Sequence, residues 1–175
     1  MSALAPAFTR FSVFKLHQCL ERIEACLAKL GEDQIWVRPN SACNSVGNLC
    51  LHLAGNVRQW ILAGVAGQPD TRRRDEEFAA AGGFTREELL SRLRAAVEDA
   101  IAVIEPLGEA RLGETVKPQN YEVTVLEAVY HVVEHFAMHT GQIILLTKAA
   151  TGEDLGFYRH LSGGGSGPAS PGGRP

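Results

Sequence analysis

Residues 123–148 read VTVLEAVYHVVEHFAMHTGQIILLTK, and this stretch decides the fold class of the chain. Apolar side chains recur along it at helical spacing, and only three of its residues are charged. A helix that is apolar on almost every side is buried in a core or in a subunit interface. His131, His135 and His139 follow one another at intervals of four. They therefore share one face of this predicted helix.

A second segment of the same character spans residues 45–65 and reads SVGNLCLHLAGNVRQWILAGV. It has one charged residue, and Asn48, His52 and Asn56 lie four apart on one face. Buried polar groups need hydrogen-bonding partners. We therefore expect the polar stripe of this helix to face the histidine stripe of the later one.

Two further helices carry many charges on one side and line the surface in the usual amphipathic way. Helix starts are indicated by Thr85 with Glu88, and by Thr124 with Glu127, since each pair forms the Thr-x-x-Glu capping box. The four predicted helices cover about residues 7–30, 44–65, 85–107 and 124–150. The sequence predicts an all-α four-helix bundle forming one domain at residues 1–160. The Gly-, Ser- and Pro-rich tail at residues 161–175 is predicted to be disordered.

Composition and charge exclude several classes of function. The net charge of −3 argues against an electrostatic nucleic-acid binder. The basic run at residues 72–74 continues directly into the acidic run at residues 75–77, so we expect a solvated loop there. No apolar run is long enough to cross a bilayer, and no secretory signal is visible, which predicts a cytoplasmic protein without membrane association.

The four cysteines are predicted to be small buried hydrophobic residues. They form no Cys-x-x-Cys pair, and a chain of 175 residues does not need disulfides to fold. The four lie at positions 19, 26, 43 and 50.

The facing polar stripes allow two interpretations on residue pattern alone. Two histidines four apart on a helix can direct ring nitrogens at one metal ion, and a third ligand from a neighbouring helix completes such a site. Asn48, Asn56, Gln142 and Glu134 are then available to orient the imidazole rings. Alternatively, the same side chains form a hydrogen-bonded polar core without a metal.

Other metal chemistries fit the sequence less well. A ferritin-like di-iron bundle needs Glu-x-x-His motifs, and none occurs. His131-Val-Val-Glu134-His135 matches the His-x-x-Glu-His motif of a class of metallopeptidases, in which Glu134 is the general base. Three fixed residues in five recur by chance, so this motif alone is a weak indication of a metal-dependent hydrolase.

Residues 44–78 and 129–148 resemble the DinB-like superfamily, particularly its DUF1572-type branch. The resemblance covers about residues 8–150 and is most specific at residues 44–60 and 135–142. It implies a four-helix bundle, often dimeric, that holds one divalent metal ion, nickel or zinc. The implied ligands are His52, together with His135 and His139, because Gly141-Gln142 follows the pair as in the family pattern.

The resemblance also implies a function, since characterised relatives resemble transferases and isomerases that use a low-molecular-weight thiol. The implied activity is metal-dependent addition of such a thiol to an electrophile, with both as small-molecule partners and with a homodimer as the assembly. His131, Asn48 and Glu134 are then the candidate catalytic residues for moving the proton. Whether the chain is an enzyme stays open, because fold transfers between relatives better than function. The alternatives are a non-catalytic metal-binding protein with a stress or sensing role and the hydrolase described above.

Overall fold

Helices form most of the structure, a computed structural model that describes residues 3–159. Four long elements account for the bundle: α1, α3 with its π-helical extension, α5 and α7. Short helices and one small sheet lie in the connections between them. In chain order the elements are α1 Leu4–Lys29, α2 Glu32–Ile35, α3 Val46–Val57, the π-helical segment Arg58–Val65, α4 Arg74–Ala79, α5 Arg86–Ile104, α6 Glu109–Leu112, β1 Thr115–Val116, β2 Val123–Thr124 and α7 Val125–Thr151.

The all-α bundle prediction is confirmed, and each predicted long helix is present within a few residues of its expected bounds. The predicted second helix is α-helical to Val57 and then widens into a π-helical turn as far as Val65. The short helices α2, α4 and α6 and the antiparallel pairing of β1 with β2 were not predicted from the sequence. The domain boundary at residue 160 stays a prediction, and the tail at residues 161–175 lies outside the described residues.

Both predicted capping boxes begin their helices. At the start of α5, the Thr85 backbone N–H donates to Glu88 Oε2 at 2.8 Å, and the Glu88 N–H donates to Thr85 Oγ1 at 3.3 Å. The same exchange at α7 joins Thr124 and Glu127, with the Thr124 N–H 2.7 Å from Glu127 Oε2. These bonds satisfy N–H groups that a helix start otherwise leaves without partners.

The long helices run in two opposite directions. Lys29 at the end of α1 pairs with Glu153 just beyond the end of α7, at 2.7 Å, so α1 and α7 are parallel. Arg86 at the start of α5 donates to the Leu30 carbonyl just after α1, so α5 runs the other way. His52 faces His135, whereas Trp60, further along the chain, faces the earlier His131 of α7. α3 with its π-helical extension is therefore antiparallel to α7, and the polar stripes of the two helices lie level with each other.

The core is built from apolar side chains of all four long helices. No helix within residues 3–159 is both long and apolar enough to cross a membrane. Cys19, Cys26 and Cys50 are buried among the core side chains, and Cys43 is half-buried in a loop. Burial raises the pKa of all three buried thiols, so they behave as the predicted small hydrophobic residues. The largest fully buried side chains are Phe136, Leu16, Ile23, Leu27, Leu30, Ile35, Leu49, Leu53, Ile61, Leu89, Leu93 and Ile104.

Candidate metal centre

Three imidazoles converge between α3 and α7. His135 Nε2 lies 3.1 Å from His52 Nε2 and 3.2 Å from His139 Nε2. One ring nitrogen from each of the three residues lies within 4.8 Å of the other two. Ligand nitrogens bound about 2.0–2.1 Å from one ion are about 3.0–3.4 Å apart, depending on the angle at the metal. The His52–His135 and His135–His139 pairs have this spacing, and the three residues together form a group that could hold a single metal ion.

The positions of the three rings follow from the helices that carry them. His135 and His139 lie one turn apart on α7 and project to the same side. His52 is supplied by the antiparallel α3 and is buried, with 5% of its surface exposed. Within residues 3–159, this is the one cluster of three His, Cys, Asp or Glu ligand atoms close enough for a metal.

A buried ion pair holds the ring of His52. Arg72 donates from Nε to Glu77 Oε1 and from Nη2 to Glu77 Oε2, both at 2.8 Å. Glu77 Oε2 lies 3.2 Å from His52 Nδ1, and Arg72 Nη2 lies 3.0 Å from the same nitrogen. A metal ion on Nε2 would require the proton on Nδ1, which would then donate a hydrogen bond to Glu77 Oε2, while Arg72 Nη2 donates to the same carboxylate and not to the ring nitrogen. This is the support that metal-bound histidines usually have.

The prediction of a solvated loop at residues 72–74 is therefore wrong for Arg72. Its side chain is only 3% exposed, whereas that of the adjacent Arg73 is 77% exposed. Arg72 faces inward because its guanidinium satisfies two oxygens of the buried Glu77 carboxylate and also Gln59 Oε1, at 2.8 Å. A fork of parallel hydrogen bonds is the geometry in which Arg pairs most strongly with a carboxylate.

Gly55 makes room for this ion pair on the surface of α3. A Cβ atom at this position would lie 2.0 Å from Glu77 Oε1 and 2.9 Å from Arg72 Nε. Any side chain there would displace the carboxylate from His52. Burial alone would raise the pKa of Glu77. The hydrogen bonds from Arg72 and His52 outweigh burial and lower the pKa of this carboxyl below its ordinary value.

The two α7 histidines have different surroundings. His139 Nδ1 lies 2.7 Å from Gln142 Oε1, so the predicted orienting role of Gln142 fits this geometry. His135 Nδ1 is buried and has no partner among the described residues. Burial and the neighbouring His139 and His52 lower the pKa of His135 to about 3. Burial also lowers the pKa of His139. Both rings are thus neutral at pH 7, the form that binds a metal.

His131 lies beside the cluster but is not part of it. Its ring stacks on Trp60 with centroids 3.9 Å apart, and its centroid is 5.4 Å from that of His135. Burial lowers its pKa, and the nearby Glu134 partly opposes this effect. The residue is therefore a neutral imidazole next to the candidate metal position.

The other two candidate catalytic residues lie elsewhere. Asn48 is fully buried, and its Nδ2 donates to the carbonyls of Glu77 at 2.9 Å and Ala80 at 2.7 Å. It anchors the segment that carries Glu77, and its amide is fully engaged there. Glu134 is exposed, and neither it nor His131 belongs to the three-ligand cluster. The geometry thus gives no support to a hydrolase site built on the His-x-x-Glu-His motif.

A cleft of about 500 Å³ opens beside the cluster. Its wall includes His52, His135, Trp60 and Tyr121, and the ring centroids of Trp60 and Tyr121 lie 5.7 Å apart. A small molecule bound there lies next to the candidate metal position. Three residues of this site were not predicted from the sequence: Trp60, Arg72 and Glu77.

The family and structural relatives agree with the observed architecture. The profile of the family described as "Protein of unknown function (DUF1572)" matches residues 4–162. The solved structure of a conserved protein from Enterococcus faecalis superposes with a TM-score of 0.71 and 21% sequence identity, over 87% of this chain and 99% of that chain. A DinB-like protein from Bacillus subtilis superposes with a TM-score of 0.64 and 17% identity, over 84% of this chain and 96% of that chain.

These likenesses show different things. At such low identities the two solved structures establish the fold alone, a helical bundle of the DinB-like kind. No curated protein matches the chain. The profile match, by contrast, covers most of the sequence. The chain therefore belongs to the DUF1572 family.

Proposed function

We propose that the protein binds one divalent metal ion, nickel or zinc, through His52, His135 and His139, and adds a low-molecular-weight thiol to an electrophile in the cytoplasm. The observation that carries this proposal is the convergence of three imidazole nitrogens at metal-ligand spacing beside an open cleft. Three protein ligands leave room at the ion for a further ligand, as catalytic metal sites require.

The ligand set suits thiol chemistry. Three neutral imidazoles leave the full charge of a divalent ion in place, and such an ion would favour the thiolate form of a thiol in the cleft. Nickel and zinc both accept imidazole ligands. The resemblance to thiol-dependent enzymes of the DinB-like superfamily supports the same chemistry, and the cleft supplies space for both substrates.

His131 is the residue best positioned to move the proton in this reaction. It lines the same cleft, and its lowered pKa leaves it free to accept a proton at pH 7. In the proposed addition, the thiol sulfur forms a bond to an electrophilic carbon of a polarised double bond. The electron pair of that double bond takes up the proton that His131 received from the thiol, so atoms and electrons balance.

Thiol consumption by the purified protein tests this function. We expect the zinc- or nickel-loaded protein to consume a thiol in the presence of an activated alkene, and the metal-free protein to be inactive. His139→Ala should lose metal and activity together. His131→Ala should keep the metal and lose about 10²–10⁴-fold in rate.

Three results would contradict parts of the proposal. Equal thiol consumption with and without metal would show that the reaction does not use the metal. A loaded protein that consumes no thiol would instead fit a metal-binding protein without turnover. Retained activity in His139→Ala, together with loss in His131→Ala, would favour the hydrolase motif.

We also propose that the protein is a homodimer. α7 exposes large apolar side chains at Leu126, Tyr130, Met138 and Leu145, which are 42%, 63%, 47% and 68% exposed. An apolar helix face of this kind is typical of a subunit interface. Size-exclusion chromatography with light scattering should give twice the mass of the chain, and a monomer would contradict the proposal.

A further inference from the structure

A second cleft, of about 470 Å³, is lined by α3 with its π-helical extension, by α5 and by the segment at residues 68–77. Of the residues that the structure describes, only Arg72 lines both this second cleft and the cleft beside the histidines. None of the three candidate metal ligands lines the second cleft. It is therefore a separate space, and the proposed reaction does not use it.

Much of the wall of the second cleft is apolar and accessible to a ligand. Leu51, Ala63 and Phe84 are half-buried, and Ala95 is exposed, so a molecule in the cleft can touch their side chains. Covering apolar surface of this kind is favourable by about 25 cal/mol for each Å² removed from water. The wall therefore favours a ligand with a hydrocarbon body. Its apolar residues are Leu51, Ala54, Leu62, Ala63, Phe84 and Ala95.

Arg92 supplies an unpaired positive charge to this apolar wall. Its guanidinium carbon lies 4.6 Å from the ring centroid of Phe84, and its side chain donates no hydrogen bond to any residue within 3–159. Arg94, two residues further along α5, instead donates to Glu24 Oε1 at 2.6 Å. A guanidinium stacked on an aromatic ring keeps its N–H groups free in the plane, in the fork that matches a carboxylate.

The other charges on the wall limit the ligand to one negative charge. The remaining exposed arginines there are already paired, Arg58 with Asp99 at 3.3 Å and Arg73 with Glu76 at 3.1 Å. Asp70 and Glu76 also line the cleft. A dianion such as a phosphate monoester would meet these carboxylates without a second free arginine, and like charges placed close together repel. One unpaired guanidinium matches one carboxylate.

We propose that the second cleft binds an apolar monocarboxylic acid. The carboxylate accepts two N–H bonds from Arg92, and the hydrocarbon body lies against Phe84, Ala95 and Ala63. Arg92 and Ala95 are three residues apart on α5, so they are neighbours on one side of the helix. The site goes beyond the proposed function and does not depend on it, because neither the metal nor a thiol takes part in the binding.

Isothermal titration calorimetry with 4-phenylbutyrate tests the charge that the site selects. 4-Phenylbutyramide has the same carbon skeleton without the charge and should bind about tenfold more weakly. Arg92→Gln should lower the affinity for the acid about tenfold, to that of the amide. Arg94→Gln is the matched control, because it removes the same charge from the same helix outside the cleft, and it should bind the acid as the wild type does.

NMR tests where the acid binds. The ring protons of 4-phenylbutyrate should give intermolecular NOEs to the methyl groups of Ala63 and Ala95. Val123 lines the cleft beside the histidines and not the second cleft, so its methyl groups should give none. Because a carboxylate is also a ligand for zinc, the titration is repeated with His139→Ala. This variant should lose the metal and keep its affinity for the acid.

Four results would overturn this site. Equal affinity for the acid and the amide, or an unchanged affinity for the acid in Arg92→Gln, would show that the arginine does not select a carboxylate. NOEs to Val123 in place of Ala63 and Ala95, or loss of binding in His139→Ala, would place the acid at the metal. Tighter binding of phenyl phosphate than of 4-phenylbutyrate would replace the monoanion with a dianion. A wild type that binds neither the acid nor the amide would leave the cleft without the proposed ligand.

Discussion

α3 and α5 are neighbours in the bundle but differ in what they bury. The buried residues of α5 are all apolar, from Leu89 to Ile104. α3 buries an equally apolar set and adds the polar stripe Asn48, His52 and Asn56. Buried polar side chains contribute to stability only when each has a partner. The difference indicates that α5 mainly stabilises the bundle. In α3, part of the buried surface consists of polar side chains of the candidate metal site instead of apolar side chains.

Truncating a core side chain of α5 should have the largest effect on folding and little effect on the metal. Leu93 is fully buried, so Leu93→Ala should lower the free energy of unfolding by about 2–5 kcal/mol. Urea denaturation of the metal-free protein measures this loss, and the metal content of separately loaded Leu93→Ala protein should equal that of the loaded wild type. A variant that keeps its stability but loses its metal would reverse the roles of α3 and α5.

Sequence patterns predicted most of the fold and the two facing polar stripes, and the family resemblance selected the three candidate ligands among the histidines. Neither indicated the residues that support those ligands. Helical periodicity and the two Thr-x-x-Glu capping boxes depend on residues close together in the chain, so they are visible in the sequence. The ion pair of Arg72 and Glu77 is different, because its contact with His52 spans 20 and 25 residues. Where a basic run is followed by an acidic run, sequence alone does not distinguish a buried pair from a solvated one. Gly55 is the one residue of α3 that hints at a close approach there.

Removing the carboxylate that supports His52 should weaken metal binding without abolishing it. Glu77→Gln keeps the shape of the side chain but loses the charge-assisted bond to His52 Nδ1, so we expect about 10–100-fold lower affinity for zinc. Competition with a chromophoric chelator measures this change. Glu76→Gln is the matched control, because the side chain of Glu76 is 69% exposed and pairs only with Arg73 among the described residues. Equal losses in the two variants would show that Glu77 has no special role.

The cysteines buried in helices should react with a thiol reagent more slowly than Cys43, which lies in the loop region between α1 and α3. Burial raises the pKa of Cys19, Cys26 and Cys50, which reduces their thiolate fraction and their access to reagent. We expect Ellman's reagent at pH 8 to modify Cys43 rapidly in the folded protein and the other three only in denaturant. Rapid reaction of more than one thiol per chain would mean that the core opens readily.

The capping box of α5 should give the smallest effect and one that depends on pH. Hydrogen bonds from the Thr85 backbone and hydroxyl lower the pKa of Glu88 in the folded state. A carboxylate with a lowered folded pKa stabilises the protein above its unfolded pKa, and this contribution disappears as the pH falls through the folded pKa. Glu88→Gln should therefore unfold at lower urea than the wild type at pH 7, and the difference should vanish in acid. A difference that grows in acid would contradict this sign.

Elemental analysis of the purified, tag-free protein shows directly whether His52, His135 and His139 bind a metal. We expect about one zinc or nickel per chain in the wild type and in His131→Ala, and almost none in His52→Ala or His139→Ala. Circular dichroism of the same samples should show that every variant keeps its helices. A wild type that takes up no metal after incubation with zinc and nickel, or a His139→Ala variant that keeps a full equivalent, would mean that these three residues do not form a metal site. The three imidazoles would then be hydrogen-bonding groups of a polar core.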